Sequence, residues 1–324
     1  MRRTRVAERV ALGATLSCAL LLLGTPNTEA RSAPDATLVP WPLEGSTDEV
    51  AMSGGLVLLH QRGSQMIRVP KSEFFMGSSE NEVIESTLLC EREPLATTCD
   101  EQTFADELLR HRVKLSGYFL DRTEVTVRDY FACVRVGRCK APPYEQGARR
   151  FQRPNYPVTL VSWDDAHDFC QFRGARLPTE AEFERAARGQ EGRRFPWGNF
   201  ANGHLANHGR LGLDRSDATD GFGELAPVGS FRAGKTPDGF LDLAGNVSEW
   251  VFDRYATQYS ADDAIDPSGP DAANATGARV ARGGGYNSPL AWLRGAAREP
   301  FRPNERQPSL GFRCARSEHG RAAP

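Results

Sequence analysis

Hydrophobic residues in this chain follow strand and helix spacings up to about residue 195 and lose regular period from there to about 230. Residues 56–59 and 66–70 are short apolar runs that predict strands, and Phe74, Phe75 and Met76 continue the pattern before a turn at Gly77. Residues 79–105 are acidic without a clear period and predict a loop. Residues 113–120 alternate in part and predict a strand. Thr126 followed by Asp129 has the spacing that caps a helix, with Tyr130, Phe131 and Val134 inward and an end near Gly137. Residues 156–161 are apolar and predict a strand. Ser162 and Asp165 open a second helix, in which Trp163, Ala166, Phe169 and Cys170 recur at helical spacing. Thr179 and Glu182 form a capping box for a third, with Phe183, Ala186 and Ala187 inward. In that reading Glu180, Glu182 and Glu184 favour the helix start through the macrodipole.

From 195 to 230 Gly, Asn and Asp dominate, which predicts a long ordered loop that needs something to hold it. Residues 254–280 read as another loop with solvated Asp262, Asp263 and Asp266.

Composition adds bounds. The chain has 324 residues, 40% hydrophobic and 25% charged, which suits a globular protein. Thirty-one glycines and 21 prolines, spread along the chain, argue for a loop-rich fold over a helical bundle. Residues 1–30 carry four arginines and two glutamates; the net charge of −2 therefore leaves about −4 on the remainder. That balance makes no case for nucleic acid or an anionic membrane surface. The four arginines followed by apolar residues 10–23 and the small-x-small site at 28–30 read as a cleaved export signal, so a secreted or periplasmic location is expected. Residues 31–55 read as a flexible leader, 56–316 as one domain and 317–324 as a disordered tail, with no membrane span in the mature chain. Six cysteines follow the signal: Cys90, Cys99, Cys133, Cys139, Cys170 and Cys314. An even number in an exported chain suggests disulfides, and proximity favours Cys90–Cys99 and Cys133–Cys139, although spacing alone cannot choose among pairings.

The densest chemistry lies in residues 237–250. Leu241, Leu243, Val247 and Trp250 are apolar, Asp242, Asn246 and Glu249 are hard oxygen donors, and Gly239 and Gly245 permit turns. Carboxylates spaced by a glycine turn with free carbonyls between them suit Ca²⁺, though the spacing matches no EF-hand. Only His204 and His208 are four apart, among glycines, and no HExxH occurs, which speaks against a histidine metal site.

Five segments occur in a telling order: 176–184 (RLPTEAEFE), 195–199 (FPWGN), 245–250 (GNVSEW), 282–286 (RGGGY) and 310–314 (LGFRC). In these the chain resembles the formylglycine-generating enzyme, or sulfatase-modifying factor, family from about Ile67 to Arg316. The resemblance implies a single loop-rich α+β domain of C-type-lectin-like architecture, with few helices and short antiparallel strands. It implies a Cys170–Cys314 bridge. It also implies two structural Ca²⁺ sites. One would use Asp242, the Gly245 and Val247 carbonyls and Glu249; the other would use Asn207, the His208 carbonyl, Asp220 and the Phe222 carbonyl. Family members that make formylglycine carry a cysteine pair for Cu(I) shortly after the Arg-Gly-Gly segment. Here no cysteine lies between Cys170 and Cys314, and Asn287 and Ser288 cannot replace soft thiolates, so copper is not expected.

The expected function is therefore a calcium-braced binding or accessory protein with an unknown protein or peptide partner. An enzyme of altered chemistry on the same scaffold is the alternative, and true formylglycine generation ranks third. Tyr286, Asn287, Ser288, Trp292 and Arg294 are the candidate pocket residues, and Arg298 and Glu299 read as a surface ion pair.

Overall fold

Four helices begin where the side chains say they should. A computed structural model describes residues 49–318 apart from short stretches at 54–55, 62–63, 93–98, 101, 145–147 and 211–217. The expected signal peptide and residues 319–324 of the expected tail lie outside the described residues, but the first two residues of that tail are ordered: Ser317 ends a strand and Glu318 pairs with Arg68 at 2.6 Å. In α1 (Glu80–Glu91), α3 (Trp163–Phe172) and α4 (Glu180–Arg188), a Ser or Thr hydroxyl and the acid three residues on cap each other's backbone amides reciprocally. In α2 (Val127–Arg135) Thr126 accepts from the Asp129 amide. None of these helices is long and apolar enough to cross a membrane.

The strands form three small sheets. Strands β1 (Glu49–Ser53), β2 (Leu56–Gln61), β3 (Ser64–Val69), β6 (Tyr118–Asp121) and β12 (Ala315–Ser317) pair antiparallel in the order β1-β2-β3-β6-β12. A second sheet has the order β10-β9-β7-β11, from β7 (Ser248–Arg254), β9 (Arg279–Arg282), β10 (Arg298–Phe301) and β11 (Leu310–Phe312). The third joins β4 (Ser72–Met76), β5 (His111–Leu115) and the two-residue β8 (Ala264–Ile265). Antiparallel pairing dominates, with β11 on β7 and β8 on β5 as parallel exceptions. The described residues belong to one compact unit, and the α+β, helix-poor class expected from the sequence is what they form.

The core lies between α2, α3 and the β7–β11 pair. Tyr130, Phe169, Trp250 and Phe312 are buried there, with the Phe169 and Phe312 rings edge-to-face at 5.5 Å. Three disulfides, Cys90–Cys99, Cys133–Cys139 and Cys170–Cys314, use all six cysteines that follow Cys18. The last joins α3 to the chain's final strands across 144 residues.

Several expectations need correction. The acidic segment from 79 is not wholly loop: it begins with α1, which turns Val83, Ser86, Thr87 and Cys90 inward. Residues 113–120 are two strands broken at Ser116-Gly117, where Asp266 accepts from the Ser116 amide and hydroxyl. Residues 156–161 form no strand. Pro157 makes a single bridge to Thr126, and Val158 and Val161 are buried from irregular backbone that turns left-handed at Leu160, φ 58°. Strand β1 lies within the stretch expected to be a flexible leader. Asp263 is engaged by Arg112 at 2.6 Å, so it is not simply solvated.

Candidate metal centre and pocket

The loop between Thr236 and Ser248 is built on left-handed backbone. Asp242, Gly245 and Asn246 have φ of 55°, 80° and 65°. At Gly245 a Cβ would stand 2.2 Å from the Asn207 carbonyl oxygen, so only glycine fits. That close approach brings the two expected ligand sets together. The Asn246 amide donates to the Asn207 carbonyl at 2.8 Å, and the Asn207 Nδ2 donates to Asn246 Oδ1 at 3.0 Å.

In the second set Asn207 is buried, and its Oδ1 meets no hydrogen-bond donor. Asp220 is held over the same loop, its two oxygens accepting from the His208 amide at 2.7 Å and the Phe222 amide at 2.8 Å. A buried, unsatisfied carbonyl oxygen beside a fixed carboxylate suits a hard cation.

In the first set Asp242 is buried and accepts from the Gly229 amide at 2.5 Å. Glu249 is buried too, but Arg313 grips both its oxygens at 2.6 and 2.7 Å. The same guanidinium donates to the Leu241 and Asp242 carbonyls at 3.0 Å each. Among the described residues no three His, Cys, Asp or Glu side chains form a ready metal cage. The expected sets draw much of their oxygen instead from backbone carbonyls and the Asn207 amide.

One acid escaped the sequence reading. Glu124 is 1% exposed, accepts from Asn246 Nδ2 through Oε1 at 2.9 Å, and leaves Oε2 without a donor. Burial pushes its carboxyl well above the ordinary range, and Asp242 and Glu249 push it further. Burial raises Asp242 and Glu249 as well. Three buried carboxyls around one guanidinium need a proton or a cation to complete them. The only sequence signal was an acid directly before the Val125-Thr126 cap.

The candidate pocket residues scatter. Tyr286 lines a cavity of about 560 Å³ with Arg150, Arg153, Tyr156, Phe222 and Glu224. Asn287 is exposed, and the Ser288 hydroxyl accepts from the Gly285 amide at 3.0 Å. Trp292 stacks edge-on against Phe104 at 5.0 Å. Arg294 is buried and paired with Glu107 at 2.6 and 2.8 Å. Arg298 is not at the surface, as the sequence suggested: it is buried against Glu180 at 2.8 Å, with the Tyr259 ring 4.2 Å beneath it. Glu299 accepts from the Ser248 hydroxyl at 3.0 Å and does not pair with Arg298.

The acids at the start of α4 also do more than favour its dipole. Glu182 is gripped by Arg176 at 2.6 and 2.7 Å, and Glu184 lies between Arg188 at 2.9 Å and Arg282 at 2.6 Å. These are structural ion pairs, and the one between Glu184 and Arg282 ties two of the motif segments together.

Comparison with known proteins gives a consistent picture. The sulfatase-modifying factor enzyme 1-like domain matches residues 58–318. The formylglycine-generating enzyme of Streptomyces coelicolor is 42% identical over 177 residues, 50% of this chain and 53% of that protein. The inactive C-alpha-formylglycine-generating enzyme 2 of Bos taurus is 36% identical over 180 residues, 53% of this chain and 54% of that protein. The chain spans about half the length of the curated relatives it matches. PvdO of Pseudomonas aeruginosa shares the fold with a TM-score of 0.61 at 24% identity, over 78% of this chain and 94% of that one.

Proposed function

The chain belongs to the sulfatase-modifying factor family, and from that premise we propose that it is an exported, calcium-braced binding or accessory protein, not a copper-dependent formylglycine-generating oxidase. The observation that carries this reading is the state of the cysteines. All six that follow Cys18 are joined in disulfides, and none lies in the segment after Arg282-Gly283-Gly284. Cu(I) asks for soft thiolates, and Tyr286, Asn287 and Ser288 supply none.

Calcium is supported by the unsatisfied Asn207 Oδ1 and Glu124 Oε2 and by the acids Asp220 and Asp242 beside them. When bound, the ion would supply a structural brace for loops that lack regular secondary structure. Asn207, Asp220 and the Phe222 carbonyl would hold one ion; Asp242, Glu124 and the Gly245 and Val247 carbonyls would hold the other, with Glu249 balancing Arg313.

An enzyme of altered chemistry on this scaffold is the second reading. It rests on the cavity beside Tyr286, but Asn287, Ser288 and Arg294 do not converge there, which favours binding.

Elemental analysis of the purified protein, together with assay of a sulfatase-type cysteine peptide, tests the proposal. Bound calcium, no retained copper and no aldehyde product are expected. Copper-dependent turnover of the peptide would sink it.

A further inference from the structure

The cavity beside Tyr286 has a composition that points to a ligand. Its walls are aromatic: Tyr156, Phe222 and the buried Tyr286 all line it. Its volume of about 560 Å³ lies within the range of small-ligand sites and holds a ring with a short attached chain.

Its charge is nearly but not fully balanced. Arg150 pairs with Glu224 at 2.8 Å, so that cation and that acid answer each other. Arg153 sits over the Tyr156 ring at 5.1 Å and donates to the Tyr156 hydroxyl at 3.0 Å. It is exposed and has no carboxylate partner among the described residues. One guanidinium is therefore left over beside three aromatic rings. Its planar fork matches a carboxylate in two parallel hydrogen bonds, and a single surplus positive charge matches a single negative one. The Tyr286 hydroxyl, whose acidity burial and Glu224 both weaken, with a pKa pushed up to about 12, remains a donor at neutral pH.

We propose that this cavity binds an aromatic group that carries one carboxylate, with the ring between Tyr156, Phe222 and Tyr286 and the carboxylate on Arg153. The chemistry is that of a free aromatic acid or of an aromatic residue at a polypeptide carboxy terminus. It deepens the binding reading given above but depends on neither calcium nor the loss of oxidase activity.

The test is calorimetric titration of the full mature protein, with calcium in excess, using N-acetyl-phenylalanine, its amide and a short peptide ending in phenylalanine. The acid is expected to bind, and the amide to bind at least about tenfold more weakly, as loss of a charged hydrogen bond requires. Arg153→Gln should weaken the acid by about the same factor without moving the thermal midpoint, because the side chain is exposed. Phe222→Ala should weaken acid and amide alike. Tighter binding of the peptide than of the small acid would assign a polypeptide terminus, and equal binding a small acid; both support the site. Equal binding of acid and amide, no binding of either acid, or an unaffected Arg153→Gln protein would overturn it. A failure here leaves the metal and turnover results untouched, so the two readings fall separately.

Discussion

The interior handles buried charge in two opposite ways. Around α4 the charges are answered within the protein. Glu182 meets Arg176, Glu184 meets Arg188 and Arg282, Glu180 meets Arg298 and Glu107 meets Arg294, all at 2.6–2.9 Å and all buried. Around the 236–248 loop they are not: Glu124, Asp242 and Glu249 surround Arg313, and Glu124 Oε2 and Asn207 Oδ1 have no donor. In the first region every one of these carboxylates has a guanidinium partner, although the Nε atoms of Arg176 and Arg282 meet no acceptor. The second sets three buried acids against one guanidinium and leaves two buried oxygens without a donor. The difference separates acids that are each matched by a cation from acids that outnumber theirs, although both groups look alike in sequence.

The sharpest way to break this comparison is to unbalance the matched side. Glu184→Ala leaves the Gly77 amide without its acceptor and takes one carboxylate from two buried guanidinia, Arg188, which keeps Glu82 at 2.6 Å, and Arg282, which keeps Glu180 at 3.4 Å. The expected loss is about 3 kcal/mol in chemical denaturation, because two buried guanidinia are then only partly compensated and a buried amide is unpaired. Glu73→Ala is the control. Its pair with Arg112 is about half-exposed on both sides, and its removal should cost under about 1 kcal/mol. Similar losses for the two variants would mean that the buried pairs are no more than surface decoration.

How much of this was visible beforehand depends on the range over which the signal acts. Thr126, Ser162 and Thr179 mark three helix starts from neighbours three residues away, and all three were legible. The paired cysteines and the apolar-acidic stretch at 237–250 were legible as well. Helix α1 was not, although its Ser79–Glu82 box was present, because its inward face includes Ser86 and Thr87 while Ile84 and Leu88 are exposed. Residues 156–161 carry strand composition but find no neighbouring strand. The ion pairs were hidden for a different reason. Arg282 and Glu184 are separated by 98 positions, and Arg294 and Glu107 by 187, so no local window contains both partners. Glu124 was missed in the same way, since its neighbour Asp242 lies far along the chain.

A smaller effect tests the unmatched side. Calcium at about a hundredfold excess over its dissociation constant should stabilise the folded chain by about 2.7 kcal/mol per site if the unfolded chain does not bind it. Glu124→Gln should shrink that gain, read as the difference in thermal midpoint between calcium and chelator. The chelated protein should be unchanged or firmer, because a desolvated acid has been removed and the side-chain oxygen that accepts from Asn246 is kept. An undiminished calcium gain in this variant would exclude Glu124 from the site.

The smallest effect lies at the border between the two regimes. Asp106 accepts from the Tyr255 hydroxyl at 2.8 Å and sits near Arg298, but it is only partly compensated. Burial pushes its carboxyl up to about 6 from an ordinary 3.8; Arg298 and Tyr255 pull it down, and Glu107 and Glu180 raise it. The folded state therefore holds a proton that the unfolded state has released. The stability this contributes is fully present below about pH 4 and is lost as pH rises through about 6. Because Asp106 keeps some solvent contact, the loss should be modest, about 1–2 kcal/mol rather than the full value of the shift. Asp106→Asn removes this titration while leaving an oxygen for Tyr255. Subtracting its stability profile from that of the wild type should leave a single fall between pH 4 and 6.5, over and above whatever Glu124, Asp242 and Glu249 contribute to both. Superimposable profiles would mean that Asp106 is as well paired as the acids of α4, and the border between the two regimes would then lie nearer the 236–248 loop.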